Sequence, residues 1–135
     1  MDESVRNQVR ERAGNLCEYC RISQDALPWA RFHIEHIRAR QHRGTDNLEN
    51  LALSCRRCNG HKGPNLASID PITDELVQLF HPRTDQWEDH FTLSEHRIMG
   101  RTPMGRATVA LLNMNSPDRV QLRKELLAGS EPEIG

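Results

Sequence analysis

Four stretches between residues 17 and 63 decide how this chain reads: CEYC at 17–20, RFHIEHI at 31–37, GTDNLENLALS at 44–54 and CRRCNGHKG at 55–63. Cys17-x-x-Cys20 and Cys55-x-x-Cys58 are two knuckles of identical spacing. Two residues between thiolates let both sulfurs converge on one ion while backbone amides turn back toward them. Four thiolates suit a closed tetrahedral zinc site. Redox pairs or disulfides are the alternatives, but paired knuckles are far more specific than a lone C-x-x-C and favour zinc. Such a site ties residue 17 to residue 58 and staples everything between. It does no chemistry by itself.

The stapled segment carries acid, imidazole and carboxamide groups: His33, Glu35, His36, Asn50 and Asn59. Phosphodiester hydrolysis needs a hard cation to neutralise the phosphate and the leaving oxygen. Carboxylate and carboxamide oxygens suit Mg2+ or Mn2+. It also needs a base titrating near neutrality, the province of histidine. All three requirements are met between the knuckles.

In this pattern of C-x-x-C, E-H-I, N-L-x-N-L and C-x-x-C-N-x-x-K-G the sequence resembles the HNH endonucleases, the ββα-metal or His-Me finger nucleases. The resemblance is strong over residues 17–63. The wording H-I-E-H-I and the continuations K-G-P-N-L, I-D-P-x-T, L-F-x-P-R and G-R-A resemble a group of small stand-alone bacterial HNH proteins. The resemblance implies an α+β fold: a ββα-metal core pinned by a four-cysteine zinc site, with a C-terminal strand-and-helix extension. It divides the chain into a core at 1–66 and an extension at 67–135 packed on it. It implies a metal-dependent endonuclease acting on duplex DNA, with structural Zn2+ on Cys17, Cys20, Cys55 and Cys58 and catalytic Mg2+ or Mn2+ on Glu35 and Asn59. His36 takes the general base's place, and Asn50 that of the residue fixing the loop and orienting the base. Lys62 falls on the same helix face as Asn59 and is expected at a phosphate. Glu35 stands where many members have Asp, and Asn59 where the family name implies His.

Other side chains receive plainer expectations. Arg38, Arg40, His42 and Arg43 follow the base and form an expected phosphate-contacting patch. His33 shares a strand face with Glu35 and is expected to support it. His61 lies about 200° around the helix from Asn59, which leaves it facing the zinc knuckle. The alternative to an enzyme is a non-catalytic zinc module binding DNA or a protein partner, and a homodimer is a further possibility.

Composition frames these readings. The chain has 135 residues, 36% hydrophobic, with six aromatics, so its core is lean and gains from a staple. Net charge is -1, but it is unevenly spread. Residues 17–63 hold eight basic and five acidic groups; residues 64–135 hold seven and eleven. No apolar run approaches the roughly 18 residues of a membrane span, and MDESVRNQVR lacks the apolar stretch of a secretory signal. A soluble cytoplasmic protein without a membrane partner is therefore expected, with reduced thiols.

Local signals place the remaining elements. Ser4 and Gly14 bracket a helix over 5–13. Residues 31–37 read as a strand, 38–50 as loop, 51–53 as a strand and 56–62 as a short helix. Residues 75–80 and 90–99 have strand character. Thr102-Pro103 and Ser116-Pro117 open helices through about 112 and 127. The tail 129–135 is expected to fray.

Overall fold

The computed structural model describes residues 1–130; most of the tail expected to fray, 131–135, lies outside the described residues. Helix α1 (Glu3–Ala13) begins two residues earlier than the Ser4 signal implies, because the Asp2 carboxylate accepts from the Val5 amide at 3.0 Å and caps it. It stops at Gly14, whose φ of 61° suits the residue without a Cβ. After the first knuckle come a single 3-10 turn (Gln24–Ala26) and strand β1 (His33–His36). A loop carrying two further 3-10 turns leads to β2 (Leu51–Ser54), and β2 runs into helix α2 (Arg56–Lys62).

Strands β1 and β2 pair antiparallel, with Glu35 opposite Ala52 and His36 opposite Leu51. All four β2 residues are buried, since α1 packs against this strand. The result is a ββα unit with Cys55 at the strand-to-helix corner, where its sulfur also accepts from the Cys58 amide and caps α2.

The rest of the chain is more broken up than its sequence signals. Strand β4 (Leu76–Gln78) pairs with β3 (Ala67–Ile69), which carries too little alternation to stand out. The expected strand at 90–99 is a short helix α3 (Trp87–His90) and a hairpin, β5 (Phe91–Ser94) with β6 (Arg97–Gly100). Glu95, at φ 57°, turns it. Helices α4 (Pro103–Leu111) and α5 (Pro117–Ser130) complete the order, with Thr102 capping α4. No described helix is long and apolar enough to cross a membrane.

One buried cluster joins both halves. Val9, Tyr19, Phe32, Leu51 and Leu53 meet Phe80, Phe91, Ile98, Leu112 and Met114. Phe80 stands edge-on to Phe91 at 5.1 Å and to Tyr19 at 6.4 Å, the geometry aromatic quadrupoles prefer. Polar ties run beside it: Trp87 donates to the Tyr19 carbonyl at 2.8 Å, Arg57 of α2 to Ser116 at 2.8 Å and also to Asp118, and Arg83 pairs with Glu18.

The I-D-P-x-T and G-R-A stretches meet in a bidentate pair. Arg106 reaches the fully buried Asp70 at 3.0 and 2.7 Å, and the Ile72 amide and Thr73 hydroxyl, each at 3.0 Å, fill its remaining acceptor sites. The Arg106 guanidinium, first among these, holds the Asp70 carboxyl well below the usual carboxylate range. A depressed folded-state pKa stabilises above the unfolded value, about 3.9, and the gain is lost as pH falls below it. Asp70→Asn should therefore lower the melting temperature at pH 7, and the gap to the parent should close as pH is taken from about 4 toward 2, followed by circular dichroism melts. A gap that stays constant with pH contradicts this assignment.

Candidate active site

The four cysteine sulfurs lie within 4.8 Å of one another and all four residues are buried. Cys20 and Cys55 are 3.8 Å apart. Four sulfurs about 2.3 Å from a common zinc stand about 3.8 Å from each other, whereas a disulfide needs about 2.05 Å. The cluster therefore fits one tetrahedral ion. Burial pushes the Cys17 thiol up, while hydrogen bonds from the other three sulfurs pull Cys55 down. Four thiolates around Zn2+ carry a net charge of about −2, and α5 supplies cations against it. Arg119 points a guanidinium nitrogen at Cys55 at 3.9 Å, and Arg123 lies in the electrostatic reach of Cys20 and Cys58; both arginines are buried.

The residues between the first two sulfurs reach outward from the clamp. Glu18 accepts from the Leu53 amide at 2.8 Å, fastening the knuckle to β2. The Tyr19 hydroxyl donates to Glu35 Oε1. Burial and the neighbouring Glu35 carboxylate push that phenol well above its ordinary value. Lys62 Nζ lies 3.8 Å from the same oxygen. Glu35 is 5% exposed, and its second oxygen, Oε2, is buried without a hydrogen-bond partner. Burial raises its carboxyl to about 7, against the opposing pull of Lys62.

A cavity of about 260 Å³ lies beside Glu35, lined by His33, Glu35, His36, Arg40, Asn59 and Gly63 among others. His36 sits at the end of β1, and its Nε2 lies 2.7 Å from Asp46 Oδ1. Asp46 also receives Arg40 at 3.1 Å, and the His36 bond, first, holds its carboxyl below the ordinary range. Asn59 reaches the cavity from α2. The loop between is held by Asn50, which accepts from the Arg38 amide at 2.9 Å and donates to the Arg38 and Thr45 carbonyls at 3.0 and 2.8 Å. Gly44 permits the tight return of this loop: a Cβ there would stand 1.6 Å from the Arg38 carbonyl.

Residues 17–65 match the family model described as HNH endonuclease. This segment is an HNH domain. Septu protein PtuB of Bacillus thuringiensis is 28% identical over 125 residues, covering 91% of this chain and 46% of the relative. The chain thus spans about half the length of that curated relative. No solved structure matches significantly. Membership of this segment in that family supports a nuclease-type function at family level.

Within the HNH domain, the expected site residues divide. His36, Glu35 and Asn59 share one cavity with His33 and Arg40. Asn50 binds only loop backbone. Lys62, expected at a phosphate, is instead 2% exposed and donates to the Ile37 carbonyl at 2.8 Å. A short α2 packed on β1 turns that side chain inward. Arg38 bonds the His42 carbonyl at 2.5 Å and lines a separate cavity with Lys62. Arg43 adopts φ 67° at the end of its 3-10 turn and is exposed, and His42 is half-buried. His61 faces solvent rather than packing on the zinc knuckle. His33 is exposed in the cavity and makes no hydrogen bond to Glu35. Asp46 escaped the sequence reading, because one aspartate in a polar loop looks like any turn residue; only its approach to His36 marks it.

If the sulfur cluster holds the domain together, stripping metal with a strong chelator should release about one zinc per chain and collapse the cooperative melt, since structural zinc contributes roughly 10–16 kcal/mol of apparent binding energy. Metal release followed by 4-(2-pyridylazo)resorcinol absorbance, alongside circular dichroism, measures both. A metal-free chain that melts unchanged would contradict the clamp.

Proposed function

We propose that the chain is a metal-dependent endonuclease that hydrolyses DNA phosphodiester bonds, with His36 as general base. The observation that supports this most directly is the gathering of His36, Glu35 and Asn59 at one cavity, with Asp46 behind the imidazole. A histidine that donates its Nε2 proton to a carboxylate keeps a lone pair on Nδ1. His36 in that tautomer takes a proton from a water at the phosphate. The hydroxide so formed attacks phosphorus, the bond to the leaving oxygen breaks, and solvent protonates that oxygen. Asp46 stabilises the imidazolium that results and keeps the ring from turning.

The donor set near His36 also fits a hard cation. Glu35 Oε2 is a buried carboxylate oxygen with no protein partner, and a buried acceptor in that state is costly unless something fills it. Glu35 and Asn59 would hold Mg2+ or Mn2+, which supplies charge neutralisation at the phosphate and leaving oxygen. Tyr19 keeps the Glu35 carboxyl at one position, and Asn50 keeps the loop bearing Asp46 closed.

Plasmid nicking with Mg2+ or Mn2+, with and without EDTA, tests the activity. His36→Ala should lose about 10²–10⁴-fold in cleavage rate while keeping its zinc and its fold. If it cleaves as fast as the parent, the base is misassigned. Glu35→Gln and Asn59→Ala should raise the Mg2+ concentration giving half-maximal rate by about 10–100-fold, measured by metal titration of the nicking rate. Asp46→Asn should lower kcat by about 10–100-fold with little change in KM, since it supports the base and not the substrate.

One observation favours a second reading, a non-catalytic zinc module that binds DNA or a protein partner. Tyr19 and Lys62 hold Glu35 inward, as they would a purely structural carboxylate. Absence of cleavage with any divalent metal on duplex DNA, single-stranded DNA and RNA selects that reading.

A further inference from the structure

A second cavity, about 490 Å³, continues from the one beside Glu35 and shares His33, Ile34, His36 and Arg40 with it. Part of its far wall is made outside the HNH domain. Arg6 and Arg10 come from α1, outside the matched segment, and Arg31 from the approach to β1. The two helix residues are four apart, so they share a face and stand about 6 Å apart along the axis.

Helix α1 is held firmly enough to make this wall a fixed feature. Val9 is fully buried, and Arg12 donates to the Leu48 and Leu51 carbonyls at 2.9 and 2.6 Å, bolting the helix to the end of the catalytic loop and the start of β2. With the helix so held, Arg6 and Arg10 line the same cavity as His36. Four guanidinium groups therefore line one trough that ends at the proposed base, in a chain whose net charge is -1.

Only weak internal anions oppose them. Glu3 pairs with Arg10 at 3.5 Å and with Arg31 at 3.6 Å, both long contacts, and Glu3 and Arg31 are more than 60% exposed. Asp46 takes one nitrogen of Arg40. Arg6 has no ion pair among the described residues. Long contacts to an exposed carboxylate such as Glu3 are worth little and yield readily to a better anion, and the planar guanidinium fork matches a phosphate's oxygens.

We propose that this trough seats the backbone of a DNA duplex to one side of the scissile bond, with Arg6, Arg10 and Arg31 each contacting a phosphate. The site deepens the nuclease reading and rests on it for the position of the scissile phosphate. It moves the main electrostatic contact from the loop after His36 to a face built jointly by α1 and β1. It also makes α1 part of the substrate path rather than only a cover for β2.

The test is binding of a fluorescein-labelled 20-base-pair duplex to the full zinc-loaded chain by anisotropy, across a salt series. All proteins carry His36→Ala, so cleavage plays no part. Each phosphate contact removed should lower the slope of log affinity against log salt by about 0.9. Arg6→Ala/Arg10→Ala/Arg31→Ala should therefore lose about two to three units of slope and about 10–100-fold in affinity at the lower salts. The matching lysine triple, which keeps the charges, should retain most of the slope. Arg97→Ala/Lys124→Ala, which removes two exposed cations elsewhere, should leave it unchanged. A triple-alanine slope equal to that of the control, or no duplex binding by the His36→Ala parent, overturns the proposal. Nicking by the unsubstituted chain is scored separately. A chain that binds through the trough but never cleaves refutes the nuclease reading alone, and one that cleaves with an unaltered slope refutes the trough alone.

Discussion

Convergence of four sulfurs is the constraint on which the rest of the molecule depends. The cysteines bring residue 17 beside residue 58 in a chain whose apolar fraction is low for its size. Each knuckle then organises a different part of the fold. Cys55 follows β2 and caps α2, so the strand-to-helix corner is set by a member of the sulfur cluster. Glu18 fastens β2 from the other knuckle, while Tyr19 reaches Glu35 on one side and carries Trp87 on the other. Arg119 and Arg123 on α5 answer the charge of the thiolates. The extension and the cavity are thus both joined to the clamp through the residues flanking its sulfurs.

Electrostatics separates the two carboxylates nearest His36. Glu35 is buried, and burial drives its carboxyl up to about 7 despite Lys62. Asp46 stands in the solvent-facing loop, and its bonds to His36 and Arg40 drive it down. Two acids pushed in opposite directions around one imidazole are the arrangement expected where roles are divided. Asp46 stays anionic and suits a partner for a protonated ring. Glu35 keeps a buried oxygen without a hydrogen-bond partner, and a cation bound there would favour its ionised form.

The same burial explains Lys62. An amine on a helix of only seven residues, packed on β1, satisfies itself on the Ile37 carbonyl and near Glu35. Desolvation lowers its pKa, so it helps hold Glu35 in place and is lost to the surface. Cationic character at the cavity comes instead from arginines on exposed backbone and on α1, whose long side chains keep their charged ends in water.

Features written over three or four consecutive residues were legible without any structure. The two knuckles, the caps at Gly14 and Thr102, the helices after Pro103 and Pro117, and the E-H-I stretch depend on local spacing, and local spacing survives folding. The short pairings of β3 with β4 and of β5 with β6 did not announce themselves, because strands of three or four residues take their stability from partners and from the core behind them. Side-chain direction was likewise undecided. Glu35, Lys62 and His61 are named by the chain, but whether each meets solvent, carbonyl or carboxylate follows from how α2 lies on β1. Asp46 beside His36, and Arg6 and Arg10 at the same trough, join residues 10 to 30 positions apart. Local spacing was enough to place the four-cysteine cluster and the chemical groups around it, whereas the charges that face the cavity follow from packing between distant segments, which no local pattern encodes.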